Sequence, residues 1–149
     1  MISVLFCSCK NDIKIVKGDL YFKLVNFTPP DGMSNEQAKN IERMLDSVEY
    51  TKNNNEENKV LTNYFKNLRN QKLLKNPYIK LRLSKNNIKT IFLSNKEHQK
   101  LKKYSLDYLR NNKTRLEVEL KTKELDSLIY YSDEIIDLNE VKGETYFEK

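Results

Sequence analysis

Few residues in this 149-residue chain have the types and spacing that catalysis or metal binding requires. The only cysteines are Cys7 and Cys9, and the only histidine is His98. A disulfide between cysteines one residue apart would close a very small, strained ring. A metal site needs more ligands than two thiols and one distant imidazole, and the three glycines never cluster as a phosphate-binding loop requires. The sequence therefore predicts neither a metal site nor a cofactor.

Acid–base catalysis by a carboxylate pair would depend on the acidic cluster Asp133, Glu134 and Asp137. Acidic residues on an alternating strand usually form its solvated face, and nothing in the sequence places two of them across a substrate. His98 falls beside the apolar edge of a predicted helix, so a packing role is the simpler interpretation. No Ser-His-Asp or Cys-His constellation can be assembled. We predict that the protein is not an enzyme.

The clearest functional signal is an uneven distribution of charge. Residues 51–115 contain 17 basic and 4 acidic side chains, whereas residues 116–149 contain 4 basic and 10 acidic ones. We expect these segments to face each other across a sheet, where opposite charges stabilise strand pairing. The alternative is an exposed basic face that binds a polyanion. Its candidate residues are Lys66, Arg69 and Lys72, spaced by three on a predicted helix, and Lys80 and Arg82, on the outward face of a predicted strand.

The elements that would position these residues centre on a predicted hairpin at 78–94, YIKLRLSKNNIKTIFLS. Apolar and basic residues alternate at 79–83, which is typical of a strand with one solvent-exposed face. Because Asn tolerates positive φ, Asn86-Asn87 is the predicted turn. The return run, 88–93, has apolar residues in both alternating sets, which predicts a bulge or two partly covered faces.

Helical patterns occur on both sides of the hairpin. Two helices are predicted before it, the second ending near residue 75, and a third after it, running through Leu109. Ser34 with Gln37, and Ser94 with Glu97, have the spacing of capping boxes. The cleanest alternation lies at 115–121 and predicts a strand with Leu116, Val118 and Leu120 inward and Glu117 and Glu119 outward. Other strands are predicted at 17–27, 128–138 and 143–148.

The predicted order is therefore β-α-α-β-β-α-β-β-β. Helices and strands do not alternate one for one, which argues against a parallel sheet. We predict a single α+β domain over residues 17–149, with an antiparallel sheet of five or six strands and three helices on one face. The length suits one domain with a substantial core, and the sequence contains no internal repeat or transmembrane pattern.

The first nine residues, MISVLFCSC, combine a short apolar run with the two cysteines, and the chain becomes polar from Lys10 onward. With the small residue Ser8 before Cys9, this arrangement resembles the end of a bacterial lipoprotein signal peptide. Residues 1–8 would be removed, lipid would be attached to Cys9, and residues 10–16 would form a tether. The alternative is a buried N-terminal strand that contains two inert thiols.

The segment Gly18-Asp19-Leu20-Tyr21-Phe22-Lys23 resembles the opening of small lipoproteins from Lys/Asn-rich Gram-negative bacteria, in which it also closely follows the lipidated cysteine. This group has no established activity, so the resemblance implies a location but no chemistry. It implies a membrane-anchored protein of the cell envelope, on the periplasmic or outer-membrane face.

We therefore expect a non-enzymatic, lipid-anchored module that binds an unknown protein or envelope polyanion, or that has a structural role. The alternative is a soluble cytoplasmic protein that binds nucleic acid or another polyanion through residues 51–115. We expect the acidic segment to neutralise much of that surface, so that nucleic-acid binding is negligible at physiological salt.

Overall fold

The computed structural model describes residues 13–24, 29–47, 56–126 and 129–148. These ranges contain six strands and four helices, in the order β1 (Ile13–Lys23), α1 (Asn35–Asp46), α2 (Glu56–Asn70), β2 (Tyr78–Ser84), β3 (Asn87–Leu93), α3 (Asn95–Leu101), α4 (Leu106–Asn112), β4 (Thr114–Asp126), β5 (Ile129–Lys142) and β6 (Tyr146–Glu148). The predicted α+β class is confirmed. The third predicted helix is divided into α3 and α4, because Ser105 caps a new helix by accepting a hydrogen bond from the Tyr108 N–H.

The sheet is mixed and closes on itself. Its order is β2-β3-β5-β4-β1-β6, and β1 also pairs with β2, so that five strands form a ring. The prediction of a purely antiparallel sheet was wrong, because β3 pairs with β5 and β1 with β6 in parallel. The cause is the position of β4, which pairs with β1. Since β5 folds back on β4 and fills the space between β4 and β3, it runs parallel to β3.

Barrel closure depends on a division of β1 between two partners. Ile13 to Asp19 pair with β4, and Asp19 to Tyr21 pair with β2. Gly18 lies where the hairpin of β2 and β3 approaches β1. A Cβ atom at Gly18 would lie 2.8 Å from Leu83 Cδ2 and 2.9 Å from the carbonyl oxygen of Arg82. Only a residue without a side chain allows this close approach.

The barrel interior is the main hydrophobic core. Leu116, Val118 and Leu120 of β4 point into it and have no exposed surface, as predicted from their alternation. The side chains of Leu101 and Leu109, from α3 and α4, belong to the same cluster, so these two helices extend the interior core.

A second cluster lies outside the barrel wall, under α1 and α2. It joins Leu45 and Leu68 of these helices to Tyr78 and Phe92 of the hairpin. Because successive strand side chains point to opposite faces, Phe92 faces outward between the inward-facing Ile91 and Leu93. The prediction that the helices lie on one face of the sheet is therefore wrong. The prediction of two partly covered faces for β3 is confirmed.

The hairpin turn differs from the predicted one. Ser84 pairs with Asn87, so Lys85 and Asn86 are the two central residues, and neither has a positive φ. The register shift lies in β2, between Arg82 and Ser84, and not in the return strand. The backbone twist of a two-residue turn without positive φ does not match the right-handed twist of the flanking strands. The neighbouring bulge increases the local strand twist and so compensates for the mismatch.

The N-terminal part of β1 begins earlier than predicted. Residues 13–16, predicted as part of a tether, pair with residues 120–123 of β4. Cys7 and Cys9 lie outside the described residues, so the structure does not test the predicted lipidation. None of the helices within the described ranges is long and apolar enough to cross a membrane.

The predicted capping boxes formed differently. Ser34 and Gln37 make both hydrogen bonds of the motif. Ser94 accepts from the Glu97 N–H, but its own N–H donates to the Ser132 carbonyl. The Glu97 carboxylate therefore accepts elsewhere, from the Ile135 N–H at 2.7 Å and from Lys100 Nζ at 2.6 Å. It attaches α3 to β5 just beyond the last residue pair of β3 and β5.

We expect Gly18→Ala to destabilise the protein by about 1–3 kcal/mol, since the new methyl group meets a backbone carbonyl that cannot move independently. Chemical denaturation measures the change, with Ser84→Ala, an exposed position on the same hairpin, as the control. Equal stability of the two variants would contradict the close approach of β1 and β2.

Glu97→Gln should lower the free energy of unfolding by about 1–3 kcal/mol at neutral pH. Burial raises the pKa of the Glu97 carboxyl. Hydrogen bonds from Lys100 and the Ile135 N–H together lower it by more than burial raises it, so the net shift of the pKa is downward. Because the folded-state pKa is lowered, the ionised Glu97 carboxylate contributes its full stabilisation of the folded protein at pH values above the ordinary pKa of 4.5. This stabilisation is lost as the pH falls through the folded-state pKa.

The stability difference between wild type and Glu97→Gln should therefore narrow as pH falls from about 7 to about 3. Urea unfolding of both proteins across this range measures it. A difference that stays constant with pH would show that the Glu97 charge contributes nothing.

Candidate functional site

The outer wall of β1, β2, β3 and β6 carries a compact set of basic and aromatic side chains, here called the basic–aromatic face. Its members are Tyr21, Lys23, Lys80, Arg82, Thr90, Tyr146 and Glu148. They point outward because their neighbours Leu20, Phe22, Ile79 and Leu81 belong to the interior cluster.

Strand register aligns four of these side chains in one row. Tyr21 pairs with Lys80 of β2 on one side and with Tyr146 of β6 on the other, and Lys80 pairs in turn with Thr90 of β3. Directly opposite residues have Cβ atoms roughly 5 Å apart, so the row crosses the strands as a continuous strip. An extended ligand lying across the strands would meet every one of these residues.

Contacts within the face fix the orientation of its side chains. The Arg82 guanidinium lies 3.9 Å from the centre of the Tyr146 ring. The Tyr21 hydroxyl donates to Glu148 Oε2 at 2.9 Å, and Lys23 Nζ lies 3.7 Å from the same oxygen. Lys80 Nζ donates to Thr90 Oγ1 at 2.8 Å.

Lys80 experiences an environment that disfavours its charge. Burial lowers the pKa of its ammonium group, and the nearby charge of Lys23 lowers it further, while Glu148 raises it. A third cation, Arg82, lies on the same wall, where its strand partner on β1 is Asp19. An anion beside Lys80 and Lys23 would relieve this like-charge repulsion.

The predicted pairing of the basic middle with the acidic end is nearly absent from the described residues. Arg115 and Glu117 form an ion pair that joins the two segments, with 3.3 Å between Nη2 and Oε1. Carboxylates of the acidic end, including that of Glu117, also lie within 4.0 Å of lysines outside the middle, namely Lys17, Lys23, Lys121 and Lys123. The acidic end therefore neutralises β1 and its own hairpin more than it neutralises the middle.

The structure separates the five predicted polyanion-binding residues into two groups. Lys80 and Arg82 share the outer face of β2, as predicted. Arg69 on α2 pairs with Asp46 of α1 at 2.8 Å. Lys72 is not on the helix, because α2 ends at Asn70 and Lys72 has a φ of 60°. Lys66 lies on α2 and is half-buried.

The early end of α2 has a clear backbone cause. The Lys72 N–H donates to the Arg69 carbonyl, and the Leu73 N–H donates to the Leu68 carbonyl. These are the two bonds of a Schellman motif, with Lys72 at the left-handed position that glycine usually occupies. Since no glycine marks this position, the sequence predicted a longer helix.

The described residues considered for catalysis have separate ion-pair partners. His98 Nε2 lies 3.9 Å from Asp31, and burial lowers the pKa of its imidazole. Asp133 and Glu134 are exposed and contact Lys123 and Lys121. No group of His, Cys, Asp or Glu side chains in the described ranges is suited to hold a metal ion.

A shallow cavity of about 910 Å³ lies between the end of α4 and the connection from β5 to β6. Arg110, Lys113 and Lys142 line it with Phe147, over whose ring Arg110 lies at 5.3 Å. These cations surround the C-terminal end of α4, where they complement the negative end of the helix dipole.

Sequence analysis missed the aromatic half of the basic–aromatic face. Tyr21 lies on the face of β1 opposite Leu20, and its partners Lys80 and Tyr146 are 59 and 125 residues away in the sequence. The signal in the sequence was the outward Tyr21 between the inward residues Leu20 and Phe22.

Comparisons with known protein families, with curated proteins and with solved structures each found no match. The chain is therefore assigned to no family, and the interpretation of its surfaces depends on their own chemistry.

Proposed function

We propose that the chain is a non-enzymatic, lipid-anchored binding module of the bacterial cell envelope, with lipid on Cys9. The observation that carries the proposal is the Cys7-Ser8-Cys9 segment, in which an apolar run and a small residue precede Cys9 and polar residues follow it. The start of β1 at Ile13 agrees with an anchor followed closely by a folded domain. Its partner is an unknown protein or an envelope polyanion.

Expression from the native start should place the protein in the membrane fraction, and Cys9→Ser should release it or block its maturation. Cys7→Ser is the matched control and should leave the distribution unchanged, because Cys7 would be removed with the signal. Fractionation and mass spectrometry of the N-terminus measure both results. A soluble wild-type protein that retains Met1 would exclude the anchor.

Polyanion binding by a soluble cytoplasmic protein is the second candidate function. The observation that favours it is the row formed by Tyr146, Tyr21, Lys80 and Thr90, with Arg82 beside it. Lysine and arginine neutralise backbone phosphates or acidic sugars, and tyrosine rings stack on bases or sugars. The face thus combines both components of a sequence-independent binding surface.

The architecture supports this candidate by analogy only. The OB-fold, a five-stranded Greek-key barrel, binds oligonucleotides and oligosaccharides on its second and third strands, and the ring in this chain also has five strands. Lys80, Arg82 and Thr90 lie on β2 and β3. Since one fold supports many unrelated functions, the argument depends on the side chains and not on the likeness.

Binding of single-stranded DNA or RNA should be detectable at low salt and negligible at physiological salt. For a protein that makes a few phosphate contacts, the affinity falls roughly tenfold or more over this range, because the release of counterions from the nucleic acid is less favourable at higher salt. Lys80→Glu combined with Arg82→Glu should abolish the low-salt binding, whereas Lys66→Glu combined with Lys72→Glu should reduce it less. Fluorescence anisotropy at several salt concentrations measures these effects.

Sub-micromolar binding at physiological salt that is lost in the Lys80→Glu, Arg82→Glu variant would favour the cytoplasmic function over the anchored module. Equal losses in the two double variants would show that binding depends on overall charge and not on the basic–aromatic face.

A further inference from the structure

We propose that the outer wall of β1 near its start, centred on Ile13 and Ile15, lies against the surface of the membrane that holds the anchor. This inference rests on the proposed lipid anchor at Cys9. It adds which side of the barrel faces the bilayer, and it assigns a role to two apolar side chains that the core does not use.

Ile13 and Ile15 are exposed apolar residues on a strand of the barrel. Their exposed fractions are 59% and 64%, and they alternate with Val16, which packs against the interior cluster. Because strand residues two apart share a face, Ile13 and Ile15 point outward together. Neither contributes to either hydrophobic cluster, so the fold alone does not explain them.

The covalent length of the chain places this wall close to the anchor. Ile13 follows Cys9 by four residues, and a chain segment spans at most about 3.6 Å per residue. Whatever its conformation, this segment keeps the Cα of Ile13 within about 14 Å of the Cα of Cys9. The headgroup region of one leaflet is roughly 5–8 Å deep, so the start of β1 stays within about two such depths of the lipidated residue.

The neighbouring side chains suit contact with lipid headgroups. Lys123 and Lys121 of β4 pair with Ile13 and Ile15 of β1, respectively. Lys121 also contacts Glu134, and Lys123 lies 4.0 Å from Asp133. With these charges balanced, the attraction comes mainly from the two isoleucines, while the lysine stems can extend beside them and keep their ammonium groups among the headgroups.

The free edge of β1 adds a second reason for a contact here. Among the described residues, β2 pairs with β1 only from Asp19 to Tyr21. One edge of residues 13–18 therefore has no strand partner in those ranges. Water and headgroups at a membrane surface can bond such an edge, whereas another copy of the chain would pair with it directly.

Site-specific thiol labelling in membranes tests the proposal. The chain is expressed from its native start with Cys7→Ser, and either Ile15→Cys or the control Val60→Cys is added. Val60 lies on α2 with 65% exposure, which closely matches Ile15. Isolated membranes and the same membranes dissolved in mild detergent are treated with a polyethylene glycol maleimide, which does not enter the bilayer.

We expect Ile15→Cys to react about tenfold or more slowly in membranes than in detergent, because apolar side chains in contact with lipid leave it rarely. Val60→Cys should react at the same rate in both. Adding Ile13→Ser to Ile15→Cys should restore fast labelling in membranes by removing the remaining apolar contact.

Equal labelling of the two cysteines in membranes would overturn the proposal and leave the anchor intact. Slow labelling of Ile15→Cys that persists in detergent would also overturn it, in favour of a contact with a second copy of the chain. Recovery of the protein in the soluble fraction, measured first, would instead remove the anchor and the inference with it.

Discussion

The barrel depends on the ability of β1 to pair with both β4 and β2, since the pairing of β1 with β2 closes the ring of strands. Its first seven residues pair with β4 and Asp19 to Tyr21 pair with β2, so Asp19 takes part in both ladders. The change of partner occurs beside Gly18, where the β2–β3 hairpin approaches the backbone of β1 too closely for a side chain. Without this approach the sheet would stay open, and β2 would have an unpaired edge.

Closure determines what each alternating strand contributes. One set of side chains fills the interior, with Leu81, Ile91, Leu93, Leu116, Val118 and Leu120 fully buried. The other set forms an outer wall with two environments. The wall under α1 and α2 is apolar, with Tyr78 and Phe92 in contact with the helices. The remainder faces solvent, and both proposed surfaces lie there.

The two proposed surfaces differ in the balance of their charges. Around Ile13 and Ile15 the lysines of β4 have acidic neighbours on β5. On the basic–aromatic face, Glu148 lies near Lys23 and Lys80, and Asp19 of β1 is the strand partner of Arg82. Burial and the charge of Lys23 both lower the pKa of Lys80. The first surface suits an apolar contact and the second an anionic ligand, so one molecule can use both at once.

Much of the local structure could be predicted from the sequence. Period-two alternation identified the inward residues of β4, and the capping box of Ser34 and Gln37 was correct. Predictions failed where backbone hydrogen bonds compete. Glu97 did not complete a capping box because Ser132 already accepts from the Ser94 N–H. The end of α2 was misplaced because a lysine occupies the left-handed position.

The candidate site was predictable only in part, for the same kind of reason. Lys80 and Arg82 were correctly placed on the outward face of β2, since alternation is a local property. Their aromatic partners belong to strands near the two ends of the chain, and sequence periodicity contains no information about which strands pair. The expected neutralisation of the basic middle also required knowledge of strand order, and the observed order places the acidic end mostly beside other lysines.

The sequence by itself determined the α+β class, the number of strands, most of the inward and outward residues, and the unusual Cys7-Ser8-Cys9 segment. The tertiary structure decided the parallel pairing of β3 with β5, the closure of the barrel, and which helices pack on the interior cluster and which on the outer wall. Local propensity and alternation act over a few residues, whereas strand order is decided by packing between segments far apart in the chain. In this protein that packing converges on Gly18, where one missing side chain lets two distant strands meet.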